Sequence, residues 1–150
     1  MLPSQVRRTI LEDHEHLRGE LVALESLAKV LAAGHREPLA TALSALQAMK
    51  QRFFDHLDLE EAILIPALRD ADSWGPERAD LVLREHTEQR AEFEQLVVQL
   101  ALPGIAAEAV GRRIATWIGA LRADMDHEDT AVLSPDLLRD DVVSINLEAG

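Results

Sequence analysis

The sequence predicts an all-α protein, an up-down-up-down four-helix bundle. Three observations predict it. Apolar residues recur at a/d spacing along four long segments. Short breaks carrying Gly or Pro separate those segments, which places consecutive helices antiparallel. The composition is 47% hydrophobic and 28% charged with only 3% aromatic, so Leu, Ala, Ile and Val must do the packing.

The first helix is expected from Ser4, read as an N-cap behind Pro3, to Ala33. Its stripe is Ile10, His14, Leu17, Leu21, Leu24, Ala28 and Leu31. Gly34 to Glu37 form a turn, and Pro38 suits the first position of the second helix. That helix runs to about Arg69 with the stripe Leu46, Met49, Phe53, His56, Glu60 and Ile63; Pro66 bends or ends it. After a loop over Ala71 to Gly75, Pro76 opens the third helix, whose stripe is Ala79, Val82, His86, Phe93, Leu96 and Leu100. Leu102-Pro103-Gly104 breaks it. The fourth helix carries Val110, Ile114, Trp117, Leu121, Met125 and Val132, and Ser134-Pro135-Asp136 caps a short final turn. Residues 1–138 are assigned to the bundle and 139–150 to an irregular C-terminal strap.

Composition narrows the function. A net charge of -12 argues against nonspecific nucleic-acid binding and against docking on anionic lipid. The absence of cysteine excludes disulfides, thiolate catalysis and iron–sulfur clusters. No basic-then-apolar leader and no run of roughly 18 apolar residues is visible, so the cytoplasm is the expected location.

Four antiparallel helices bring distant residues to one level. His14 and His86 each lie about 10 residues into helices that point the same way, roughly 15 Å along the axis. His56 lies roughly 15–20 Å from the same end of the bundle on a helix pointing back, and the segment from Met125 to Asp129 reaches a similar layer. A lone histidine on an apolar face is usually a hydrogen-bonded core residue. Three on facing stripes at one level, with Glu60 one turn beyond His56, point to metal ligands instead. Imidazole suits Fe, Zn, Cu or Ni, and added carboxylate shifts the preference toward Fe or Mn. His16, off the stripe, and His35, in a turn, are read as solvated. Asp58 and Glu61 are read as exposed charges. Arg90, one turn after His86, either holds Glu60 or Asp129 or snorkels to the rim.

Aligned without gaps, His56 to Pro66 matches Met125 to Pro135. In this register Glu60 meets Asp129 and Met125 takes the histidine position. His127 then points away, unless a π-bulge turns it inward. Asp129 is the carboxylate expected to join the site, with Glu128 as the fallback and Asp124 less favoured.

Asp13-His14 with Leu17-Arg18, the run His56-Leu57-Asp58-Leu59-Glu60-Glu61-Ala62-Ile63-Leu64-Ile65-Pro66, and Glu85-His86 resemble the hemerythrin-like family of HHE cation-binding domains. The resemblance spans about residues 6–137. It implies a bundle holding non-haem iron, with His14, His56, Glu60 and His86 as ligands and Asp129 as the second carboxylate. The family usually carries a second His-x-x-x-Glu on the last helix, and true hemerythrins a further histidine where Arg90 stands. Both departures remove ligands and leave a mononuclear site open beside a dinuclear one, with Zn or Mn as other candidate metals. The implied function is non-enzymatic binding or sensing of O2, NO or redox state, or iron handling. The alternatives are a metal-poor bundle acting as a binding or regulatory module, and a di-iron oxidase or peroxidase-like enzyme.

Overall fold

The computed structural model describes residues 1–141. Five α-helices form four rods: α1 (Pro3–Ala32), α2 (Leu39–Leu59) continuing through a π-helical turn (Glu60–Leu64) into α3 (Ile65–Arg69), α4 (Gly75–Leu100) and α5 (Ala107–Ala131). Among the described residues there is no strand, and no helix is long and apolar enough to cross a membrane. The four-helix architecture is the one the apolar spacing predicts.

The ends of α1 correct one expectation. Pro3 is the first helical residue, because its missing N–H is one the first turn leaves unpaired anyway, so Leu2 rather than Ser4 is the cap. Gln5 Oε1 accepts the Leu2 N–H at 2.8 Å. The Ser4 N–H and hydroxyl donate to Asp140 at 2.9 and 2.7 Å, so the far end of the chain caps this helix. The final turn forms as expected, with Ser134 Oγ accepting the Asp136 N–H at 3.1 Å. Leu138 is buried; residues 142–150 of the expected strap lie outside the described residues.

Pro66 leaves its mark one turn upstream. It cannot donate to a carbonyl four residues back, and the helix widens before it, with the Ile65 N–H reaching Glu60 O. The wider turn shifts the apolar stripe by one residue: Leu64 is buried where Ile63 was expected. The end of α5 repeats the pattern. The Leu133 N–H bonds Glu128 O at 2.8 Å, and Leu133 is buried where Val132 was expected.

The helices are not equally close. Gly111 of α5 lies against α1, where an added Cβ would stand 2.4 Å from Ala28 O. Only glycine permits that approach, and α5 packs along α1 for much of its length while touching α4 sparsely. The core has two apolar parts. The larger runs from Leu17 through Phe53, Phe93 and Ile114 to Met125. The smaller holds Val6, Ile10, Leu64, Leu68, Val82 and Leu133. Trp117, expected in the core, is half-buried at the edge of the larger part against Phe93, ring centroids 4.9 Å apart; Ile118 takes the buried place. Between the two parts lies a polar layer of His14, His56, Glu60 and His86, each at most 2% exposed.

Candidate metal centre

Glu60 is the hub of that layer. Its Oε1 lies 2.6 Å from His56 Nε2 and 3.3 Å from His14 Nε2, and its Oε2 lies 3.1 Å from His86 Nε2. Helices α1, α2 and α4 thus each aim one Nε2 at the two oxygens of one carboxylate. The equal-level argument places these four residues together, and the structure brings them there. His14 and His56 stand side by side, ring centroids 4.8 Å apart.

The second carboxylate differs from expectation. Asp129 does not enter the layer; its Oδ1 accepts from His14 Nδ1 at 2.5 Å, on the outer side of the ring. Glu128 enters instead, with Oε1 3.1 Å from His14 Nε2. The gapless register was off by one. The repeated π-type closure pairs Glu128 with Glu60, so Asp124, and not Met125, stands at the place equivalent to His56. Met125 is buried apolar core, and His127 is exposed. His127 is a surface residue, the favoured expectation; a π turn occurs in the second rod from Glu60, and the π-type closure at Glu128 does not turn His127 inward.

Every imidazole is backed on its Nδ1 side by a carboxylate from a neighbouring helix. Asp129 backs His14, Asp13 backs His56 at 2.6 Å, and Glu61 stands 3.6 Å from His86 Nδ1. Every backing carboxylate is in turn held by an arginine one helical turn from the histidine it serves. Arg18 holds Asp129 at 2.6 Å, Arg52 holds Asp13 at 2.9 Å, and Arg90 holds Glu61 and also Asp58. Arg90 therefore does hold carboxylates, but neither Glu60 nor Asp129. Asp58 is exposed as expected, though paired with Arg90, while Glu61 is half-buried between Arg90 and His86. The hydrogen bonds at Nδ1 hold His14 and His56 with Nε2 inward, the arrangement that orients histidine ligands on metals; His86, 3.6 Å from Glu61, is less firmly held.

Asp13, Arg18 and Arg52 escaped the sequence reading as working parts, and Glu128 was only the fallback to Asp129. The signal was present as a repeat: His14-x-x-x-Arg18 recurs as His86-x-x-x-Arg90, and Glu60-Glu61 recurs as Glu128-Asp129.

The electrostatics of the layer are those of a tightly coupled group of imidazoles and carboxylates. Burial opposes charge on His14, but the surrounding carboxylates Glu128, Glu60 and Asp129 outweigh it and push the imidazole up to about 10. His56 follows the same logic, burial against bonds to Asp13 and Glu60, and rises to about 9. Glu60 is held well below the usual carboxylate range, its burial overcome by the three histidines. Burial and the charge of Glu60 raise Glu128 to about 7. The bond to His56, with help from Arg52, lowers Asp13 to about 2. Two imidazolium charges here face one full negative charge on Glu60 and a partial one on Glu128. A dication replacing the two imidazolium protons would leave the buried charge almost unchanged.

The residues fit such an ion. One donor atom each from His14, His56, Glu60 and Glu128 fall within 4.8 Å of one another. Glu128 Oε1 is buried, and its contact with His14 Nε2 at 3.1 Å does not have hydrogen-bond geometry, a shortfall that a cation would make good. A cavity of ≈ 20 Å³ remains at this point, about the room of one water. A wider groove of ≈ 660 Å³, farther along α4 and α5 beside Trp117, is open to solvent and carries none of these ligands. His16 and His35 are exposed and play no part.

Comparison with known families agrees with this geometry. The Hemerythrin HHE cation binding domain matches residues 5–134. No curated protein and no solved structure matches the chain. The chain belongs to the hemerythrin HHE cation-binding family.

Proposed function

We propose that this member of the hemerythrin family holds one or two non-haem iron ions in the His–Glu layer. It would offer them to a small diatomic ligand, O2 or NO, as a sensor or iron-handling protein rather than an enzyme. One observation carries the reading: Glu60 turns one oxygen to His14 and His56 and the other to His86. One cation would sit among His14, His56, Glu60 and Glu128, and a second beside His86 on the far oxygen. A mixed imidazole and carboxylate set favours iron over metals that prefer sulfur or oxygen alone. Bound iron would supply a Lewis-acidic, redox-active centre with an open position. The chain's own residues do the rest. Asp13 and Asp129 keep the Nδ1 protons of His56 and His14, so that Nε2 gives up the proton when metal enters. Glu60 and Glu128 neutralise the ion, and the apolar layers above and below exclude water. The inward set is poor in carboxylates and the chain has no tyrosine, which favours binding over oxidase turnover.

Elemental analysis of the purified chain, with an absorption spectrum, tests this. Iron at one or two equivalents is expected, and the double variant His56→Ala/Glu60→Ala should retain none. Full metal retention by that variant would sink the proposal.

A further inference from the structure

The polar layer is reached through four seams between neighbouring rods, and three of them are closed by an arginine on a carboxylate. Arg18–Asp129 closes α1 on α5, Arg52–Asp13 closes α1 on α2, and Arg90–Glu61 closes α4 on the π turn. The fourth seam, α4 on α5, differs. Here a neutral amide does the closing: Gln89 Nε2 donates to Asp124 Oδ2 at 3.0 Å. This is also the seam where the helices touch least.

A cavity of ≈ 150 Å³ opens beside it along the same seam. His86, Gln89, Asp124 and Glu128 line both this cavity and the small one at the centre. The buried Glu128 Oε1, which lacks a hydrogen bond, belongs to the residue at the junction. The outer wall carries Glu85 and exposed His127, and its arginine, Arg78, is already paired with Asp72 at 2.6 Å. The mouth is therefore net negative, a field that concentrates cations.

We propose that the α4–α5 seam is the port by which a divalent cation reaches the layer, with Asp124 receiving it at the mouth when Gln89 releases. The proposal rests on the metal-binding reading above. Asp124 acts on the way in, and the resting ion is held by the histidines, Glu60 and Glu128.

The test is the rate of Co2+ uptake by the metal-free full chain, followed by stopped-flow absorption, with final Co2+ content measured on the same samples. Gln89→Arg copies the closure of the other three seams and is expected to slow uptake at least tenfold with the final content unchanged. Gln89→Ala should speed it. Asp124→Asn should slow it severalfold and flatten its dependence on ionic strength. Unchanged rates in all three variants, with full uptake, overturn the port alone. A final content lowered in Asp124→Asn also overturns it, because Asp124 is then a ligand of the resting ion. An unaltered chain that takes up no Co2+ removes the metal-binding reading and the port with it.

Discussion

The two histidines with matching arginines, His14 on α1 and His86 on α4, use one device at two levels of tightness. Each has an arginine four residues on, and each faces an acidic residue following a carboxylate that turns inward. At His14 the backing contact is 2.5 Å and the helix pair is closely packed around Gly111. At His86 the corresponding contact is 3.6 Å, and Nδ1 has no hydrogen-bond partner. His86 also borders the ≈ 150 Å³ cavity. The difference teaches that duplication of a motif does not duplicate its rigidity. A hydrogen bond holds an imidazole within a narrow range of angles, whereas a contact at 3.6 Å lets it turn. The His14 side is held rigid, and the His86 side is free to yield.

The largest expected effect follows from removing one ligand at a time. His14→Ala takes a nitrogen from the side where two histidines share Glu60 Oε1, and metal content should fall to background. His86→Ala should leave one equivalent bound. Elemental analysis after equal loading with ferrous iron under anaerobic conditions decides. Equal losses in the two variants would show that the halves are equivalent and break the comparison.

Removing the backing carboxylates gives a smaller, graded effect. Asp13→Ala should weaken metal binding by about 10–100-fold, the usual cost of losing a partner that orients a ligating imidazole. Glu61→Ala, which removes a contact already too long to be a hydrogen bond, should cost no more than a few-fold, roughly. Competition against a chelator of known affinity measures both. A Glu61→Ala loss as large as that of Asp13→Ala would mean that His86 is held as firmly as His56.

The helices, their order and the meeting of His14, His56, Glu60 and His86 were legible because both depend on period and count. The 3.6-residue repeat names the inward face, and the rise per residue sets the level. Glu128 was only the fallback to Asp129 because the register of the last helix depends on a hydrogen-bond closure of five residues rather than four. Counting at 100° per residue places Asp129 inward, and the widened turns at Glu60 and Glu128 correct it. Ile63 and Val132 were misplaced for the same cause. Asp13 was hidden by its position beside the stripe. A residue flanking the apolar face reads as surface until the neighbouring helix supplies the histidine it serves.

The smallest effect expected is on the pH dependence of the metal-free protein. His14 and His56 are raised to about 10 and about 9, from 6.5 in the unfolded chain. The folded state binds these protons more tightly. Their stabilisation is therefore complete below about pH 6.5 and is lost as pH rises through 9 to 10. Asp13, lowered to about 2 from 3.8, works in the opposite direction. Its contribution is present above about pH 4 and is lost only as pH falls through 2. In chelator, the melting temperature should accordingly hold level up to about pH 6.5 and fall continuously as pH rises toward 10. The loaded protein has already given up the imidazole protons, so it lacks this source of alkaline loss, and the gap between loaded and metal-free melting temperatures should widen with pH. Apparent affinity should rise over the same interval, with about two protons released per ion bound near pH 8. Calorimetry in two buffers of different ionisation enthalpy counts those protons. A release near zero would mean that both imidazoles are already neutral in the metal-free protein. In that case the Glu128 oxygen that lacks a hydrogen bond, rather than the two protonated rings, would be the main strain that metal binding relieves.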